Sequence, residues 1–317
     1  MLNMPLSISQ LKRDLHWIAN SPVILDITNL PEGYWLTRPL PKKIKLVVSN
    51  YDLKQVTERL TVRKSHLLGI YYEVLWHYLL AEKLGYKLRA TNLQVKSDKG
   101  TLGEFDLIYQ TKNSNQFFHR ELAVKYYLGL PCEPKLEQTP WSYWVGPGLR
   151  DRLDLKANKL VNKQGRLSQS TAGHELLKQQ HLLPVTAEIL LQGYLFYPFG
   201  SYCPPPQHAN INHLMGYWLT PQQLTEFIEY KQLSASFIVL AKHEWLSAFN
   251  SSTNIIQHRL LSSAALSQYA TQHFTNSPYP YPLLIASGTS HNEIWQENVR
   301  FFLVSDNWLV KARSSRR

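Results

Sequence analysis

Leu102-Gly-Glu-Phe-Asp-Leu-Ile-Tyr109, then Thr111-Lys-Asn-Ser-Asn-Gln116, then Phe118-His-Arg-Glu-Leu-Ala-Val-Lys-Tyr126 is the stretch on which the fold turns. Two β-prone runs flank a polar segment of ladder-breaking residues, which predicts a hairpin. If pairing resumes with Gln110 opposite Phe117, Asp106 falls opposite Glu121. Directly opposed residues hold their Cβ atoms about 4.5–5.5 Å apart. Side chains alternate along a strand, so His119, Glu121, Ala123 and Lys125 share one face. Opposed carboxylates call for a compensating cation, either Lys125 or a divalent metal. A hard cation on carboxylate oxygens suits metal-assisted phosphodiester hydrolysis. A one-residue slip would turn the two acids apart. The same spacing also fits a solvated sheet face carrying weak surface ion pairs.

At these residues the chain resembles the PD-(D/E)XK nuclease superfamily, through Gly103-Glu-Phe-Asp106 and Glu121-Leu-Ala-Val-Lys125, with Gly69-Ile-Tyr-Tyr-Glu73 on a preceding helix. The likeness covers about residues 61–170. It departs from the pattern at Ala123, where the superfamily has an acid two residues before the lysine; Glu121 is two residues further back on the same face. Over most of its length the chain also looks like a bacterial family described only as a domain of unknown function. That likeness rests on Glu121-Leu-Ala-Val-Lys-Tyr-Tyr-Leu128, Gly146-Pro-Gly-Leu-Arg-Asp-Arg-Leu-Asp-Leu-Lys156 and Gly193-Tyr-Leu-Phe-Tyr-Pro-Phe199.

The resemblance implies an α/β (α+β) fold: a restriction-endonuclease-like core, its mixed sheet flanked by helices, plus a C-terminal α+β domain. The expected division is a helical segment 1–60, a nuclease-like core 61–170 and a domain 171–317. It implies cleavage of nucleic acid phosphodiesters, with Mg²⁺ or Mn²⁺ held by Glu73, Asp106 and Glu121. Lys125 then orients the attacking water and stabilises charge on the phosphate. Two rivals stand beside this reading. One is a nucleic-acid-binding module that has lost catalysis, as Ala123 hints; the other is a protein-interaction protein whose acid–lysine cluster is a satisfied polar patch.

Charge supports a polyanionic partner, DNA rather than RNA. The chain of 317 residues carries a net charge of +11. Residues 171–317 hold nine Lys and Arg against eight Asp and Glu, leaving 25 against 15 in residues 1–170. Segregated cations are the electrostatic footprint of phosphate binding. Residues 150–164 read as a helix on which Arg150, Arg152, Lys156, Lys159 and Lys163 could contact phosphates. A solvated helix face has the same pattern. The aromatic run Trp141-Ser-Tyr-Trp-Val145 could stack on unpaired bases or simply pack in a core.

The remaining signals are mainly exclusions. Cys132 and Cys203 are far apart and read as reduced thiols, and no His pair has zinc-site spacing. The N-terminus lacks a signal pattern and the apolar run 67–80 is broken by Glu73 and His77, so a cytoplasmic protein with no membrane partner is expected. Helices are expected over 11–20, 52–62 and 66–84, the last capped by Ser65 and stopped at Gly85. Pro31, Pro39 and Pro41 mark an irregular connector, and Lys42 and Lys43 open a basic stretch. Further strands are expected at 92–96, 190–199, 237–240 and 299–304, and helices from Thr220 and over 257–273. The basic tail 311–317 is a weak phosphate-binding arm.

Overall fold

The computed structural model describes residues 6–26, 40, 44–63, 67–98, 100–112, 114–234, 236–278 and 280–314. The expectations placed on Pro31, Pro39, Pro41, Lys42, Lys43, Ser65, His66 and the last three residues of the tail lie outside them. Contacts divide the chain into two interleaved compact units. One comprises 1–125, 155–193 and 210–213; the other comprises 126–154, 194–209 and 214–317. Each is built from separate stretches, so neither coincides with a continuous segment such as 61–170.

The first unit begins with α1 (Ile8–Asn20), whose N-terminus is capped by the Ser7 hydroxyl accepting from the Gln10 N–H at 3.1 Å. Its apolar face buries Leu11, Leu15 and Ile18 completely. Two buried carboxylates tie the N-terminal helices to α3 (Leu68–Tyr78). Asp14 accepts the Tyr71 hydroxyl at 2.7 Å. Asp52, on α2 (Asn50–Arg63), accepts from the Tyr78 hydroxyl and from Lys83 at 2.6 Å. Bulky residues all round α3 are thereby covered, and Tyr71, Tyr72, Trp76 and Tyr78 are buried. The N-terminal helices thus belong to this unit's core. Beyond Tyr78 the helix widens into a π turn over Leu79–Lys83.

Three antiparallel strands follow: β1 (Lys87–Ser97), β2 (Gly100–Gln110) and β3 (Phe117–Gly129). The β2–β3 ladder pairs Gln110 with Phe117, Tyr109 with Phe118, Ile108 with His119 and Leu107 with Arg120. This is the register expected from the sequence. Behind the hairpin, Val95, Phe105 and Ile108 pack with Leu167, Leu177 and Leu182, the last two on and just after α5 (Thr171–Gln179). Arg120 is buried, pairs with Glu188 at 2.8 Å and lies over the Trp76 ring at 5.0 Å from its centroid. Glu188 also accepts the Tyr109 hydroxyl at 2.8 Å, so the buried ion pair is fully bonded. The strand order in this unit is β1-β2-β3-β5, with β5 spanning Val185–Pro198.

Strands β3 and β5 continue into the second unit. There the order is β3-β5-β6-β10-β9-β7, with β4 (Trp144–Val145) on β3 and β8 (Asn250–Ser252) on β10. The other members are β6 (Leu214–Leu219), β7 (Phe237–Val239), β9 (Leu283–His291) and β10 (Ile294–Leu303). Pairs β5–β6 and β6–β10 are parallel, whereas β10–β9 and β9–β7 are antiparallel, so the sheet is mixed. Its core gathers Phe199, Leu219, Phe227, Phe237, Ile285 and Phe301. The fold is α/β with a mixed sheet flanked by helices, as expected. Strands β6 and β9 carry no distinct sequence signal, because short apolar runs do not separate strand from buried helix. No helix among the described residues is long and apolar enough to cross a membrane.

One glycine limits how closely β5 approaches β3. Gly193 has φ of +140°, and a Cβ built there lies 1.7 Å from the Lys125 backbone oxygen. Both the dihedral and the backbone contact exclude a side chain. Gly193→Ala is expected to lower stability by on the order of 3 kcal/mol or more, read as a fall in the urea midpoint without a change in slope.

Candidate functional site

The hairpin ladder stops one residue short of the acids, and that is what builds the site. After Leu107 and Arg120 the next opposed residues are Asp106 and Glu121. Instead of a further backbone bond between the strands, the Asp106 carboxylate accepts the Leu122 N–H at 2.8 Å. Asp106 is buried and Glu121 wholly so. Glu121 uses both oxygens: Oε1 meets His119 Nε2 at 2.6 Å, and Oε2 accepts from Gln164 Nε2 at 2.6 Å. Ala123, at the position where the resemblance expects an acid, is also buried.

Burial sets the proton chemistry. Asp106 is pushed up to about 7, first by loss of solvent and then by the neighbouring Glu121 charge. Glu121 is likewise pushed up to about 7 by burial, against the pull of Lys156. His119 is lowered to about 4 by burial, and its Nδ1 is buried with no hydrogen-bond partner among the described residues. All three groups are driven toward their neutral forms, so the two acids hold protons that they would release in water, while His119 gives up one that it would keep there.

Around this pair lies a second ring of side chains. Glu73 on α3 is shifted upward by burial, then by repulsion from Asp106, with Glu104 adding to it. Asn92 on β1 donates to Glu73 at 3.4 Å and accepts from Arg63 on α2. His77, one turn along α3 from Glu73, hydrogen-bonds the Asp106 backbone carbonyl. Lys156, on α4 (Leu153–Lys159), is lowered by burial and by Lys125, and is drawn the other way by Asp106 and Glu121. Its ammonium donates to Gln164 at 3.4 Å.

Asp106, Glu121 and Glu73 come together around one hairpin, whereas Lys125, four residues beyond Glu121 on β3, acts on Lys156 and not on the acids. The expected row of cations is not one feature. Lys156 turns toward the acids, while Lys159 and Lys163 are exposed. Arg150 and Arg152 belong to the second unit, where Arg152 forms a fork with Asp154 at 2.7 and 2.9 Å. Three partners went unassigned in the sequence: His119, Gln164 and His77. His119 had a signal, since it lies two residues before Glu121 on the same face. Gln164 had none. It closes a π turn over Leu160–Gln164, and the wider turn rotates it away from the position that a period of 3.6 assigns.

The donor chemistry, all carboxylate oxygen, is of the kind that magnesium or manganese takes. Both Glu121 oxygens and one of Asp106's already accept from protein donors, which leaves each of these oxygens one further lone pair. Among the described residues no three His, Cys, Asp or Glu side chains are placed to hold an ion together. As it stands, the cluster is a proton-retaining acid pair with one lysine, Lys156, beside it.

Residues 13–304 match the family described as Domain of unknown function (DUF1853), and the chain belongs to that family. No curated protein and no solved structure matches it.

The raised acids make stability depend on pH in a definite direction. At these two acids the folded state holds more protons than the unfolded chain between the ordinary carboxylate range and about pH 7, while His119 and His77 act in the opposite sense from about pH 4 up to the ordinary imidazole range. Stability from this pair is present below that range and is lost as pH rises through about 7, by about 1.4 kcal/mol per pH unit for each proton retained. Glu121→Gln keeps the shape and removes one titrating group. Its melting temperature is expected to fall less than wild type between pH 5 and 8; equal slopes would show that the pair does not retain protons.

Proposed function

We propose that this chain binds nucleic acid through a PD-(D/E)XK-like core in its first unit, with binding rather than hydrolysis as its principal activity. The observation that carries the reading is the uneven charge of the two units. The first holds 23 Lys and Arg against 13 Asp and Glu; the second holds 11 against 10. Several of the acids in the first unit are buried, including Asp14, Asp52, Asp106 and Glu121, so its solvent-facing surface is more cationic than the count implies. Exposed Lys159 and Lys163 stand four residues apart, on α4 and the turn after it, close in sequence to Lys156. Spread cations of this kind neutralise phosphates without reading sequence.

A hydrolytic reading draws on one specific observation. Glu73, Glu104, Asp106 and Glu121 repel one another around Asp106. A divalent cation relieves such repulsion. The superfamily pattern places Lys125 beside that cation.

Affinity of the full chain for a DNA duplex is expected to fall linearly with salt on logarithmic axes, and Lys159→Glu with Lys163→Glu should reduce the slope by roughly two. A salt-independent interaction, or none at low ionic strength, removes the reading. In parallel, wild type should leave the DNA intact with magnesium or manganese. Cleavage that disappears in Asp106→Asn would replace binding by hydrolysis as the principal activity.

A further inference from the structure

Behind the acid cluster, in the first unit, lies a cavity of about 440 Å³ between α2, α3 and β1. It falls within the range of small-ligand sites. Its walls are mainly apolar, including Val74, Ala81 and Leu88, with Arg59, Arg63 and His77 among them. We propose that this cavity takes one nucleotide of a single strand, its base among the apolar walls and its phosphate on Arg59 and Arg63. The inference rests on the nucleic-acid reading above and adds the strandedness and the place of contact.

Three features specify the occupant. The first is the pair of guanidiniums. Arg59 bonds Glu82 and Arg63 bonds Asn92, each through one nitrogen, and a guanidinium has five N–H donors. Each keeps donors for a phosphate.

The second feature is His77. It is buried, one of its nitrogens is bonded to the Asp106 carbonyl, and Nε2 is enclosed with no partner among the described residues. A carbonyl only accepts, so the bonded nitrogen is the protonated one. Burial, then Arg63 and Arg59, hold the ring pKa down at about 4, so the ring is neutral and Nε2 is a bare acceptor. The ring therefore lines the cavity without a charge of its own, and the positive charge there comes from the two arginines.

The third is the apolar wall, which suits a flat ring. A nucleotide has a flat, largely apolar body and an anionic end, and its base is free to enter only when unpaired. The pocket and the acid cluster also share parts. His77 holds the Asp106 carbonyl, and Arg63 reaches Glu73 through Asn92.

The test is calorimetric titration of the full chain at low salt with adenosine 5′-monophosphate, ribose 5-phosphate and inorganic phosphate. The monophosphate should bind about tenfold or more tightly than ribose 5-phosphate, since only it carries a base. Ala81→Leu, which fills the cavity, should remove that advantage and leave ribose 5-phosphate binding unchanged. Leu88→Phe serves the same purpose if the first variant does not fold. Arg63→Gln should weaken both ligands by about tenfold, the scale of a lost charge-assisted bond. Equal affinity for the two sugar phosphates, or a filled cavity that binds the monophosphate like wild type, overturns the proposal. Anisotropy with a labelled oligonucleotide separates the two levels. If the strand binds but the monophosphate does not, the cavity is not a nucleotide site and the binding reading stands. If the strand does not bind either, both fall.

Discussion

Two carboxyl groups buried next to each other cannot both carry charge unless something near them compensates, and the first unit is arranged around that constraint. Asp106 and Glu121 meet where the β2–β3 ladder ends, out of reach of bulk water. The molecule answers in three ways at once. A backbone N–H and the Gln164 amide donate to the acids, Lys156 is drawn in from α4, and protons are retained at a pH where exposed carboxyls have lost them. Each answer fixes a piece of structure. The Leu122 N–H sets where the strands part, Gln164 requires the π turn, and His119 is held against Glu121 with its far nitrogen unpaired among the described residues.

The same hairpin has a contrasting side. Arg120 is as deeply buried as Glu121, yet it is paired with Glu188, bonded to Tyr109 and stacked on Trp76. That group is satisfied, and it holds the hairpin against α3. Glu121 has weaker compensation, from a histidine held neutral and an amide. A buried polar cluster left partly unsatisfied stores free energy that a ligand or a proton can release. Such perturbed groups gather at functional sites more often than elsewhere, which is why the acid cluster rather than the arginine network is the candidate.

The nucleic-acid reading joins this cluster to its surroundings without depending on catalysis. Cations concentrate on the unit that holds the acids, while the acids themselves are withdrawn from solvent. Lys156 stands beside the pair, and Arg59 and Arg63 line the cavity behind it. In the proposed function, a phosphate backbone would be attracted by the unit as a whole.

Much of the local architecture could be read from residue order alone. The hairpin, its register, the helices at 11–20 and 52–62 and the strands at 190–199 and 299–304 follow from periodicity, turn chemistry and caps, which act over a few residues. Register was legible because the polar turn between Gln110 and Phe117 is short and well marked, and a shift of one residue would have reversed every face. What the sequence could not show is which distant groups complete the site. Gln164 lies 43 residues from Glu121, and its approach depends on a widened helical turn that no local preference announces. Whether Lys156 faces solvent or the acids depends on where α4 packs, and one His77 nitrogen is left unpaired among the described residues because the other is held by a strand carbonyl. The interleaving of the two units, with β3 and β5 serving both, is likewise a product of long-range pairing. Local order was set by short-range sterics and patterning; the chemistry of the acids was decided by burial, which only the folded chain creates.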